Sequence, residues 1–341
     1  MRLRQHLVVT ALLTALAVPL AHAQSPADFY KGKDVILIIG SGVGGGYDTY
    51  SRVVARHWGR FIPGNPNIVV QNMPGAGGLT MLNYIANVAK GDGTVVGSAF
   101  ANTVIEPVFD KGRATKYDSR KLNWIGSISP QNISCFTRKD SPVKTLQDAQ
   151  TKEAIIASTG NSISSMTANV FNTMLGTKFK IVMGYSTSET FLAIERGEAE
   201  GSCHSSATLI VSHPDWIKDK KINPIVVMST KPDPLLPGAP PAIDFVKTDD
   251  DRKVVELIIS QLAMGRPYVA PSGVPADRLA ALRKSFFDTL KDPQFVAEAT
   301  KQEMIIDPSD HTEMEQMIAR TYAVDERIVA KAKALIDGAP Q

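Results

Sequence analysis

From Asp34 onward the chain repeats one unit, a short β-branched strand, a glycine turn and an amphipathic helix. Residues 35–39 read as a buried strand, and residues 47–61 as a helix with Tyr47, Tyr50, Val54, Trp58 and Phe61 at helical spacing. A second strand at 68–71, a helix marked by Leu79, Leu82, Ala86 and Ala89, and a third strand at 95–100 follow. Such a βαβαβ run buries its strands in a largely parallel sheet with helices on both faces. The fold class is therefore α/β.

A second set of units begins near residue 132. Strands are expected at 133–137, 155–158, 179–183, 199–203 and 225–229, with helices near 165–175 and 189–196 that end at Gly176 and Gly197. The proline-rich stretch 231–241 is loop. A strand-like segment at 268–270 precedes helices starting at Pro275 and near His311. No repeat of fixed period is present, and 341 residues suit two domains.

The amino terminus bears on compartment. Arg2 and Arg4 precede an apolar run from Leu7 to Leu20 and then Ala21-His22-Ala23, the pattern of a secretory signal peptide cleaved after Ala23. The run is shorter than the roughly 20 residues that span a bilayer. A periplasmic product is expected, without a lipid anchor, since no cysteine follows the cleavage point. The formal charge of +3, less the two leader arginines, is +1. A near-neutral chain with no basic block gives no reason to expect nucleic acid.

Two glycine loops carry the binding argument. Gly40-Ser41-Gly42-Val43-Gly44-Gly45 stands between a strand and a helix and fits a dinucleotide fingerprint, but the second strand ends in Gln71-Asn72 where that fingerprint needs an acid. No cofactor is expected. The loop's physics remains: glycines admit a ligand close to the backbone, and a helix start offers free, slightly positive N–H groups to an anion. Pro74-Gly75-Ala76-Gly77-Gly78 repeats the arrangement after the second strand. In the second half, Ser158–Ser165 and Gly184-Tyr185-Ser186-Thr187-Ser188 each follow a strand and open a helix. For each serine alone, an N-cap is the plain reading.

At these residues the sequence resembles the Bug family, the extracytoplasmic receptors of tripartite tricarboxylate transporters. The densest match is Asn72-Met73-Pro74-Gly75-Ala76-Gly77-Gly78, continued at Gly91-Asp92-Gly93-Thr94. Gly44-Gly45-Gly46-Tyr47-Asp48 with Arg52, and Gly184-Tyr185 leading to Ile194-Glu195-Arg196-Gly197-Glu198, resemble the family's first ligand loop and its later tyrosine loop. The first loop lacks the family's proline, and Ser186-Thr187-Ser188 replaces glycines after the tyrosine. The resemblance implies a two-lobed periplasmic binding protein-like fold of type II, with mostly parallel sheets, flanking helices and two crossing strands as hinge. Lobe one is expected from 24–129 with 265–341, and lobe two from 130–264. The implied function is capture of a small carboxylate and its delivery to integral membrane subunits, by a monomer.

The candidate ligand-binding residues are Ser41, Gly44, Gly45, Gly46, Asp48, Gly75, Ala76, Gly77, Gly78, Asn102, Thr159, Ser162, Tyr185, Ser186 and His204. Asp48 is expected either to cap its helix or to meet a donor on the ligand. No dense arginine cluster marks a tricarboxylate site, although Arg266 stands near the second crossing. A secreted hydrolase is the main rival, but the chain has no G-x-S-x-G or H-E-x-x-H, and His57, His204, His213 and His311 show no ligand spacing. No catalytic or metal-binding residue is expected. A ligand-sensing partner of a membrane signalling receptor would use the same closure. Cys135 and Cys203 are the only cysteines, and an exported chain leaves both a disulfide and two buried thiols open.

Overall fold

The structure is a computed structural model that describes residues 24–110, 114–160 and 162–338. The expected leader and Asn161 of the serine-rich turn lie outside the described residues. Strands β1 (Asp34–Ile39), β2 (Asn67–Asn72), β3 (Val95–Ser98) and β4 (Asn123–Ser127) come first. β5 (Ile133–Arg138), β6 (Glu153–Ser158), β7 (Lys178–Met183), β8 (Gly201–Ser205) and β9 (Ile222–Met228) follow, then β10 (Pro267–Ala270) and β11 (Ser309–Asp310). They form two sheets, ordered β11-β4-β10-β3-β1-β2 and β7-β6-β8-β5-β9.

Each sheet has a parallel heart. β1 pairs with β2 and β3, and β6 with β7 and β8. The reversed strands are β10, antiparallel to β3 and β4, and β5, antiparallel to β8 and β9, with the two-residue β11 also antiparallel to β4. The chain passes from β4 straight into β5, and it reaches β10 from helix Asp249–Ala263. These two crossings touch. Ile128 N donates to Arg266 O at 3.3 Å, Gln131 N to Leu262 O at 2.9 Å, and Arg266 N to Ser127 Oγ at 3.0 Å. Gly265 has φ 58°, and a Cβ there would collide with the Ser129 carbonyl, so the contact needs glycine.

The first sheet is anchored by helix Gly46–Trp58, which buries Tyr50, Val53, Val54 and Trp58. The Trp58 ring meets Tyr268 of β10 at 6.0 Å and Phe286 of helix Ala276–Lys291 at 5.5 Å, and its Nε1 donates to Ser285 Oγ at 2.9 Å. One side chain thus ties together an amino-terminal helix, the reversed strand and a carboxyl-terminal helix. Truncating such a tryptophan costs about 3–5 kcal/mol. Helix Ala276–Lys291 also packs on β4.

The second sheet carries helix Ile163–Leu175 and helix Thr187–Arg196. Helix His311–Tyr322 packs on β4, but helix Glu326–Asp337 crosses over to helix Ile163–Leu175 and helix Asp249–Ala263. Arg327–Asp250 and Lys331–Asp251 ion pairs hold it there. Cys135 and Cys203 stand opposite one another across β5 and β8 and are joined as a disulfide. Among the described residues no helix is long and apolar enough to cross a membrane.

Candidate ligand-binding site

The carboxyl ends of β1, β3, β6, β7 and β8 converge on a narrow cleft with an open volume of about 40 Å³. That is the edge of a parallel sheet where α/β proteins bind ligands. Of the expected residues, Ser41, Gly45, Gly46, Asn102, Thr159, Ser162 and His204 line it. Tyr47, Phe100, Gln131, Ile133, Ile163, Ser164, Thr187, Cys203, Ser205 and Thr208 complete the wall. No Asp, Glu, Lys or Arg is among these described lining residues.

The first glycine loop is shaped from behind. Asp48, 2% exposed, accepts from the Gly44 amide at 2.9 Å, Arg52 Nε at 2.9 Å and Asn72 Nδ2 at 2.8 Å. Asn72 Nδ2 also donates to Ser41 O at 2.9 Å, and Arg52 Nη2 donates to Asn72 Oδ1 at 2.8 Å. Burial alone would raise the Asp48 carboxyl, but these donors outweigh it and hold it below its ordinary value. Asp48 therefore fastens its own loop and faces away from the cleft. Gly45 caps helix Gly46–Trp58 without any side-chain cap, so its first amides are left to the cleft side.

The second glycine loop sits elsewhere. Gly75, Ala76, Gly77 and Gly78 all have positive φ, and a Cβ at Gly78 would fall 2.5 Å from the Phe100 ring. β2 is the edge strand of its sheet, so its loop emerges at the flank, and none of the four residues lines the cleft. Ala76 instead borders a smaller side cavity with Asn102, Glu106, Met166 and Lys333. Asn102 borders both spaces. Its Oδ1 is buried without a partner, as is Ser164 Oγ.

Across the cleft, Ser162 caps helix Ile163–Leu175 and shares a hydroxyl contact of 2.7 Å with Thr159. Ser186 caps helix Thr187–Arg196, so its oxygen is occupied, while Tyr185 is partly buried in the cluster around Phe136 and Phe191. Neither lines the cleft; Thr187 does. His204 Nδ1 accepts from the Ser205 amide at 3.1 Å, and burial, aided by the nearby Arg266 charge, pushes its pKa down to about 4. The ring is therefore neutral near pH 7, with its proton on Nε2.

Arg266 lies one layer behind this wall and is 1% exposed. Its Nη1 donates to Ser129 Oγ at 3.0 Å, and its Nη2 reaches Ser205 Oγ at 3.4 Å and Thr208 Oγ1 at 3.3 Å. Its guanidinium stacks on Tyr50 at 4.0 Å. The sequence pattern that could have revealed Thr208 was present: Ser205-Ser206 follows a strand and opens helix Ser206–Ser212, as in the turns already singled out. Among the described residues no group of His, Cys, Asp and Glu could hold a metal.

Two sheets joined by adjacent crossings, with a polar cleft between their carboxyl ends, define the bilobal class of solute-binding proteins. The chain belongs to the tripartite tricarboxylate transporter receptor family, whose model matches residues 52–334. The periplasmic binding protein BugD is similar in fold, at 17% identity and a TM-score of 0.70 over 89% of this chain and 98% of BugD. MatC from Rhodopseudomonas palustris, with bound malate, gives 17% identity and a TM-score of 0.68 over 89% of this chain and 99% of MatC. An R. palustris protein with adipate gives 17% and 0.67 over 89% of this chain and 98% of that one. A UPF0065 protein from Cupriavidus necator is 29% identical over 152 residues, which span 42% of this chain and 44% of that relative's length.

Proposed function

We propose that the protein is a periplasmic receptor that captures a small carboxylate in this cleft and passes it to the membrane subunits of a tripartite tricarboxylate-type transporter. The observation that carries this reading is the wall itself: backbone amides and hydroxyls, no acidic side chain, and buried polar atoms on Asn102 and Ser164 that the protein leaves unpartnered. Unpartnered buried groups of this kind call for a bound molecule or water. Family membership, and the malate and adipate held by two proteins of the same fold, support the same class of ligand.

The lobes in this proposal are 24–129 with 265–341, and 130–264, although helix Glu326–Asp337 packs on elements of the second. Ser41, Gly45, Gly46 and Asn102 would meet the ligand from the first lobe, and Thr159, Ser162, Thr187 and His204 from the second. We read no catalysis here. His204 is held neutral, Cys203 is bridged, and the Tyr47 hydroxyl donates to Gly265 O while it accepts from Ala101 N and Gln131. Among the described lining residues, His204 is the one imidazole, and its Nδ1 lone pair already accepts from the Ser205 amide. A thermal-shift screen against mono-, di- and tricarboxylates and aromatic acids tests the proposal. A true ligand at 100 times its Kd adds about 2.7 kcal/mol. A screen in which no acid raises the melting temperature, while an ester or amide is turned over, would establish the hydrolase instead.

A further inference from the structure

We propose, resting on the carboxylate reading above, that Arg266 sets the charge selectivity of the cleft from behind its wall, acting through Ser205 and Thr208. An arginine this deeply buried is ordinarily paired with an acid. Among the described residues, Arg266 has no such partner: its contacts are the hydroxyls of Ser129, Ser205 and Thr208 and the rings of Tyr50 and Tyr47. Its Nε is buried with no acceptor at all. The protein therefore holds an uncompensated positive charge one hydrogen bond away from the cleft.

The direction of those hydrogen bonds decides what the cleft accepts. A guanidinium only donates. Ser205 Oγ receives Arg266 Nη2 and the Thr208 amide, so both of its lone pairs are engaged and its own proton must point to another acceptor. Thr208 Oγ1 likewise receives Arg266 Nη2. Both residues line the cleft, and among the described residues neither hydroxyl proton has a protein acceptor. His204 adds a third donor, since its Nδ1 is occupied by the Ser205 amide. Three donors backed by a cation form a surface for a carboxylate and disfavour an ammonium or an amide NH₂. Arg266 leaves the first sheet at β10, whereas Ser205 and Thr208 belong to the second, so the same contacts bridge the two sides of the cleft.

The test uses the mature chain with Arg266→Met and Arg266→Lys. In ligand-free protein, the His204 midpoint is followed by NMR, assigned by difference from His204→Gln. It should rise in the Met variant and stay low in the Lys variant; an unchanged midpoint in Arg266→Met overturns the proposal, because the charge is then not felt in the cleft. Calorimetry with malate, adipate and their diamides reads selectivity. Wild type should favour the diacids, and Arg266→Met should lose about 10- to 100-fold for them, the usual size of a hydrogen bond to a charged group. Diamide affinity should stay level. A Met variant that keeps its full preference for diacids refutes the role of Arg266. If wild type binds neither diacid, the carboxylate reading fails while the His204 measurement still decides the field of Arg266. Should Arg266→Met not fold, Ser205→Ala/Thr208→Val removes the relay with the cation in place; it should show the same loss, and unchanged diacid binding would overturn the proposal.

Discussion

Gly46→Ala should leave the protein folded and hold its cleft open. Gly46 is the first residue of helix Gly46–Trp58 and has no positive φ, so alanine suits its backbone. In an isolated helix the change is favourable by up to ~1 kcal/mol. The obstacle lies across the cleft. A Cβ at Gly46 would come within 3.0 Å of Thr208 Cβ and Cγ2, and closer still to Oγ1. Ordinary carbon contacts need about 3.5 Å, so the two sides must part by roughly 0.5 Å or more. Overpacking of this kind costs about 1–3 kcal/mol. Because the contact exists only when the sides meet, that cost falls on closure, and it reduces the closed fraction and the apparent affinity by about 5- to 150-fold. Calorimetry with the acid found in the screen, and small-angle scattering for compaction, read the effect. Gly42→Ala is the control, since it belongs to the same loop and its Cβ would meet nothing within 4 Å. If the two variants bind alike, the Gly46–Thr208 approach is not part of closure and the argument is wrong.

Three further outcomes follow from the charges and the bridge. Reducing Cys135–Cys203, which closes a 68-residue separation, should lower stability by at most ~4 kcal/mol on a chain-entropy basis, and coincident melts of oxidised and reduced protein would contradict this. Asp48→Asn should cost about 1–3 kcal/mol and weaken all ligands equally, because the carboxylate serves its loop. Its wild-type contribution is complete above about pH 4 and is lost as pH falls through the depressed folded value, so an unchanged acid limb in the variant would count against the assignment. Glu106, pushed up to about 7 by burial and then by Asp110, works the other way. The stability it gives is full below pH 4.5 and is lost as pH rises through 7, so Glu106→Gln should raise the melting temperature at pH 8 and not at pH 4.

The parallel hearts of both sheets were legible because periodicity reports what a segment buries. The strand expected at 155–158 is the inner part of β6, and the helix expected from Pro275 starts at Ala276 with Pro275 as its cap. β4 and helix Asp249–Ala263 have no counterpart among the expected elements; Gly126 interrupts the apolar run of β4, and the helix opens on three consecutive aspartates. The first glycine loop borders the cleft through Ser41, Gly45 and Gly46, and the second does not. Sequence spacing shows that a loop follows a strand, but whether that strand is central or at the edge is a tertiary fact, and it separates Gly45 from Gly77. Arg266 was noticed only by its position near a crossing, since nothing local tells a buried arginine from a surface one.

β10 lies between β3 and β4, yet it is made only after the entire second sheet. A ribosome delivering this chain amino terminus first releases β3 and β4 with the place between them empty, and each then offers an open edge to any strand it meets. The second sheet faces the same delay, because helix Glu326–Asp337, which covers its helix Ile163–Leu175, is last of all. Until β10 and that helix are available, neither half has its native set of contacts. Pairing strands so far apart in sequence makes folding slow, and the edges of β3 and β4 stay open until β10 is placed between them.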